Sequence, residues 1–99
     1  MRYSDLVNWV NKEFERFEIY DYEAISAERT YHSQDAIEGG ACRMLIFFKH
    51  KEFNGFNNYF LCFYTLKQLN EHLKSGYEMY LNFDRNLILT NATIELRKK

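Results

Sequence analysis

The 99-residue sequence predicts an α+β domain with an antiparallel sheet and two helices, in the order α-β-β-β-α-β-β. Three features carry that expectation. The segment from Cys42 to Tyr64 holds two strand-like apolar runs around Asn54-Gly55, the dipeptide best suited to the positive φ angles of a type I′ hairpin turn. Thr65-Leu66-Lys67-Gln68 is a capping box that opens a helix. From Tyr77 onward, apolar and polar residues alternate with the period of a half-buried strand.

The first helix is expected over residues 5–16. Ser4 is placed to cap it, Asp5 faces the positive end of the helix dipole, and Leu6, Val10, Phe14 and Phe17 form one apolar stripe with Trp9 at its flank. Residues 22–31 read two ways. Tyr22-Glu23-Ala24-Ile25-Ser26-Ala27-Glu28-Arg29 has fair helix propensity, but a lone hairpin needs further strands, so a strand is favoured. Residues 33–41 read as the longest loop, most pliable at Gly39-Gly40.

In the central hairpin, a two-residue turn would pair Phe53 with Phe56, His50 with Tyr59, Phe48 with Leu61 and Ile46 with Phe63. The alternate pairs would be Lys49 with Phe60, Phe47 with Cys62 and Leu45 with Tyr64. Both faces are then apolar, and each needs a cover. The second helix buries Leu66, Leu69 and Leu73 and stops at Gly76. Tyr77, Met79, Leu81 and Phe83 make one strand face, and Asp84-Arg85-Asn86 a turn. The parity change between Leu87/Leu89 and Ala92/Ile94/Leu96 implies a bulge or bend at Thr90-Asn91.

Length and composition narrow the function. Residues 1–99 make a single domain, able to bury roughly two-thirds of its unfolded surface. The chain is 18% aromatic and has no proline, so core material is ample. A domain this small seldom houses both a deep substrate pocket and a complete catalytic constellation, and a non-enzyme is expected. Residues 1–14 are charged and amphipathic, unlike a secretory signal. No run approaches the roughly 18 apolar residues of a membrane span. In the two-residue-turn register Cys42 and Cys62 lie on opposite faces, which disfavours a disulfide. Reduced thiols and a cytoplasmic location, in a host cell if the chain is phage-encoded, follow as expectations. Asn91-Ala92-Thr93 matches a glycosylation sequon, a match taken as chance without a secretory route.

No catalytic, metal or cofactor set stands out. His32, His50 and His72 fall on different elements, and neither cysteine has a partner at zinc spacing. A cysteine–His50 dyad lacks the exposed electropositive setting that activates a thiol. His32-Ser33-Asp35 has triad-type residues, but triads assemble from distant segments around an oxyanion hole. Gly39-Gly40 lacks the rest of either nucleotide fingerprint.

Surfaces carry more. One hairpin face, Leu45, Phe47, Phe60 and Tyr64, is expected to bind a protein partner or a second copy of the chain, because two helices cover only one side of a small sheet. The net charge of −1 divides into −5 over residues 1–40 and +4 over residues 41–99. Glu15, Glu18, Asp21 and Glu23 accordingly form a second candidate surface, steering the chain onto a basic partner. Lys49 and Lys51, with Phe53 and Phe56 nearby, are the alternative: aromatic and basic groups that could stack bases and hold phosphates. The α-β-β-β-α order is also that of double-stranded RNA-binding domains. Those place a lysine cluster at the start of the last helix, where this chain has only Lys67.

The layout resembles that of small phage proteins that inhibit CRISPR nucleases. The matching pieces are the helix over residues 5–16, the Asn54-Gly55 hairpin and the helix ending in Lys74-Ser75-Gly76-Tyr77. That resemblance implies a non-catalytic inhibitor, encoded by a phage or mobile element, that blocks a host defence or nucleic-acid-handling protein by contact. The known inhibitor of this layout is more acidic than this chain, which favours plain protein contact over mimicry of DNA.

Overall fold

The computed structural model describes residues 1–30, 42–53, 57–84 and 92–99. Among the described residues seven elements follow in the expected order: α1 (Tyr3–Arg16), β1 (Tyr22–Arg29), β2 (Met44–His50), β3 (Asn57–Cys62), α2 (Leu66–Lys74), β4 (Tyr77–Asn82) and β5 (Thr93–Lys98). The strands form two antiparallel sheets rather than one: a three-stranded sheet β1-β2-β3 and a ribbon β4-β5. The Thr93 hydroxyl donates to the Leu61 carbonyl at 3.2 Å, so the start of β5 touches the β3 edge without a ladder between them.

In α1 the stripe is as expected, with Leu6, Val10 and Phe14 buried and Trp9 half-buried at the flank. The helix begins two residues earlier than its sequence signal, because Asp5 reaches back to accept the Arg2 N–H at 2.8 Å and so does the capping assigned to Ser4. That hydrogen bond, more than the Arg2 guanidinium beside it, holds the Asp5 carboxyl below its ordinary value.

The end of α1 carries no glycine signal, yet it closes as a Schellman motif. The Ile19 N–H reaches the Phe14 carbonyl at 2.7 Å and the Glu18 N–H reaches Glu15 at 3.0 Å, with Glu18 itself at φ 61°. A side chain in that left-handed region costs about 1–2 kcal/mol, which glycine escapes. After the entropy glycine adds to the unfolded chain, Glu18→Gly is expected to raise stability by up to about 1 kcal/mol in urea unfolding. A loss would contradict this account of the corner.

Residues 22–29 are a strand, so tertiary pairing overrides their helix propensity. Ala24 and Ala27 are buried, and their small side chains let α1 approach. The Asn11 side chain binds the Ala24 backbone twice, accepting its N–H at 2.8 Å and donating to its carbonyl at 3.1 Å. The β1–β2 register shifts between Ala24 and Ser26, leaving Ile25 as a bulge.

The hairpin register differs from the one a two-residue turn imposes. Met44 faces Cys62, Ile46 faces Phe60, Phe47 faces Tyr59, and Lys49 faces Asn57. Each residue from Met44 to Lys49 is thus paired three places earlier along the chain than expected. The physical reason is the core. In this register Met44, Ile46, Phe48, Phe60 and Cys62, all at most 2% exposed, share one face. The two-residue turn would instead have put Phe63 and Leu61 beside Ile46 and Phe48, with Phe60 on the opposite side. The chain leaves β2 along β1 as well, since the Lys51 N–H donates to the Asp21 carbonyl at 2.8 Å. Asn54-Gly55 itself lies outside the described residues, as do the Gly39-Gly40 loop, residues 85–86 of the expected turn and the Thr90-Asn91 bend.

The capping box of α2 is formed: the Thr65 N–H donates to Gln68 Oε1 at 2.8 Å, and the Gln68 N–H to Thr65 Oγ1 at 3.0 Å. Leu69 is fully buried, Leu66 and Leu73 are half-buried, and Gly76 takes φ 91° after the last turn. In the ribbon Leu81 faces Ile94 and both are buried. Ala92, Leu81 and Ile94 join the same core as α1, Leu69 and the inner hairpin face. The ribbon and both helices therefore contribute to one core, on the inner side of the three-stranded sheet.

Candidate interaction surfaces

Alternation decides what the other side of that sheet carries. With Met44, Ile46, Phe48, Phe60 and Cys62 turned inward, the outer face presents Leu45, Phe47 and Lys49 from β2 and Tyr59 and Leu61 from β3, with Phe63 just beyond. Ser26 and Glu28 flank it on β1, opposite Phe47 and Leu45, and Glu23 stands opposite Lys49. Leu45, Phe47 and Leu61 are half-buried, while Tyr59 is 51% and Phe63 43% exposed. The Phe47 and Tyr59 rings lie 5.9 Å apart, so the aromatic surface is a packed patch rather than a scatter of single side chains.

Of the four hairpin residues expected on one face, the structure brings together Leu45 and Phe47. Phe60 is 1% exposed and belongs to the core, with its ring 6.1 Å from Phe48. Tyr64 lies past the end of β3, half-buried against the core, its ring 5.9 Å from His72. Tyr59, Leu61 and Phe63 take their places on the outer face. Both parities of β3 are apolar in sequence, so no local signal marked this exchange; the burial of Ile46, Phe48, Phe60 and Cys62 on one face shows it.

The acids gather at one corner. Glu15 near the end of α1, Glu18 and Asp21 in the turn and Glu23 on β1 are all exposed, and none of the ion pairs among the described residues involves them. Glu15 and Glu23 line a groove of about 580 Å³ between α1 and β1. Glu18 and Asp21 line an adjoining hollow of about 220 Å³, and the two share Ile19, Tyr20 and Tyr22. Tyr20 is 62% exposed.

The basic residues do not form one patch. Lys49 sits half-buried on the outer sheet face, whereas Lys51 lines the α1–β1 groove opposite the acids. Phe53 is 64% exposed with its ring 4.8 Å from His50; Phe56 lies outside the described residues. At the C-terminus Arg97 is engaged by Glu95 at 3.2 Å and lies over the Tyr80 ring. His50 Nδ1 accepts the Glu52 N–H at 3.1 Å, and His72 Nδ1 lies 2.8 Å from the Gln68 carbonyl oxygen, so both rings have local structural roles.

Cys42 and Cys62 are both buried and not joined in a disulfide; Cys62, opposite Met44, lies on the inner face with the core, and Cys42 precedes the start of β2. Burial pushes the Cys62 thiol up to about 11 from 9.0. A raised thiol pKa leaves stability intact below the unfolded value and removes it as pH climbs through the folded one. Stability is therefore expected to fall between pH 9 and 11, by on the order of 2–3 kcal/mol. A Cys62→Ala variant should show a flatter profile across that window; an unchanged slope would refute the assignment.

Among the described residues no three His, Cys, Asp or Glu side chains are grouped to hold a metal ion, and no helix is long and apolar enough to cross a membrane. Set against protein-family models, characterised proteins and solved structures, the chain matches none of them.

Proposed function

We propose that this chain is a non-catalytic protein-binding module whose outer sheet face, centred on Phe47, Tyr59 and Phe63, is the contact surface. The observation that carries the reading is the aromatic patch: two rings packed together on a regular sheet, with Tyr59 and Phe63 about half exposed. Interface cores are enriched in such aromatics, and a sheet face supplies them preorganised. In the specific form implied by the layout, the partner is a host defence or other nucleic-acid-handling protein, held by contact and steered by the acidic corner of Glu15, Glu18, Asp21 and Glu23. The protein then acts as an inhibitor of phage or mobile-element type, in the cytoplasm where such partners work.

The test uses Tyr59→Asp and Phe63→Asp, which change exposed side chains. The expected result is a folded protein that no longer inhibits or binds a CRISPR-type nuclease that the parent chain does bind. Tight binding of the parent to nucleic acid, weakening steeply with salt, would replace this reading with a nucleic-acid one. A parent dimer in light scattering that both variants dissociate would make the partner a second copy.

A further inference from the structure

The groove between α1 and β1 is a second surface, separate from the outer sheet face, and its walls specify what fits it. Among the described strands β1 is an edge of its sheet, paired only with β2. Antiparallel pairing alternates, so successive residues turn their N–H and C=O toward the partner strand and then away from it. The Lys51 N–H bonds the Asp21 carbonyl, so Asp21 faces β2 and Tyr22 faces outward. Ala24 faces outward again, and there the Asn11 carboxamide accepts its N–H and donates to its C=O. A planar amide thus already sits where a peptide group of an added strand would sit. Beyond the bulge, the Thr30 N–H bonds the Arg43 carbonyl, which turns Ala27 outward into a smaller hollow of about 290 Å³. That hollow shares Val7 and Asn8 with the larger groove, so the seam runs along most of β1.

The side walls choose the sign of charge. Glu15 from α1 lines the groove together with Glu23, which also stands opposite Lys49 across the β1–β2 ladder. Glu18 and Asp21 line its continuation past Tyr20, and Lys51 is the one cation among the described lining residues. We infer that the α1–β1 groove receives an extended, basic segment of a partner protein, which adds as a strand along the outward edge of β1 and sets lysine or arginine side chains against Glu15 and Glu23. Main-chain pairing supplies affinity in this mode, and the flanking walls supply selectivity. The Asn11 carboxamide holds the edge in the free protein and is displaced by the incoming main chain.

The probe is an acetylated, amidated hexapeptide of alternating lysine and valine, titrated into the full-length, isotope-labelled chain and followed by amide chemical shifts. Saturable shifts are expected at Tyr22 to Ala27 and at the Asn8 and Asn11 side-chain amides, with the outer-face residues Leu45, Phe47 and Tyr59 unmoved. Peptide N-methylated at alternate amides should not bind, and a glutamate–valine peptide should bind far more weakly. Glu15→Lys combined with Glu23→Lys, both exposed changes, should weaken binding about tenfold. In Asn11→Ala the peptide should raise the melting temperature more than it does in the parent, because it satisfies the Ala24 groups that the substitution strands. No shift along β1 at millimolar peptide overturns the inference. Equal binding of the N-methylated peptide overturns the edge pairing, and equal binding of the acidic peptide overturns the charge assignment. Loss of partner binding in Tyr59→Asp with this peptide still bound would separate the two surfaces.

Discussion

Phe60→Ala is expected to cost about 3–5 kcal/mol, and Phe60→Asp to leave no cooperative unfolding transition at all. Phe60 is 1% exposed, packs against Phe48 and faces Ile46 across the ladder. Removing the ring opens a cavity beside Ile46 and Phe48 in the core, and a carboxylate placed there loses its hydration. Against a total stability of about 5–15 kcal/mol for a domain, that loss is decisive. Urea unfolding monitored by circular dichroism measures the alanine variant, and a midpoint within error of the parent would refute the observed register. The two-residue-turn register would have put Phe60 on the face with Leu45 and Phe47, where the same substitution is mild.

Phe47→Asp gives the opposite pattern. Phe47 is half-buried on the outer face against Tyr59, so the aspartate keeps access to water and costs about 1 kcal/mol, chiefly in strand preference. The protein stays folded. If the outer face is the interface core, the lost aromatic contact and the new charge should weaken partner binding by 2 kcal/mol or more, about thirtyfold. Calorimetry with the purified partner, beside a thermal melt, separates the two effects. Unchanged affinity in a folded variant would move the contact off this face.

Much of the fold was legible because its signals are local. The 4-4-3 spacing of Leu6, Val10, Phe14 and Phe17, the Thr65–Gln68 box and the alternation through Leu81 and Ile94 each depend on residues within a turn or two of one another. The parts that were not legible depend on long-range competition. Glu18 in a left-handed conformation carries no sequence mark, since its position is set by the two N–H groups that close α1. The Asn11 clasp on Ala24 joins residues thirteen apart, and nothing in either segment alone announces it. The candidate site was half readable for the same reason. Leu45 and Phe47 follow from strand alternation, and the acids follow from composition. The replacement of Phe60 and Tyr64 by Tyr59, Leu61 and Phe63 required the register.

By itself the sequence determined the α+β class, the order of seven elements, the apolar stripe of α1 and the two-sided apolar character of β2 and β3. Only the tertiary structure decided which side of the hairpin is core and which is surface. It also split the strands into a sheet and a ribbon, and it set the four acids beside the edge of β1. The reason is that Met44, Ile46 and Phe48 share a face in either register, and the two sets β3 could add, Phe60 with Cys62 or Leu61 with Phe63, are both apolar. Burial worth roughly 1.5–3 kcal/mol for each large side chain does not separate them along the sequence, and only the assembled core seats Phe60 and Cys62. Because strand period is two, the odd three-residue shift that achieves this exchanges the two faces of β3 relative to β2.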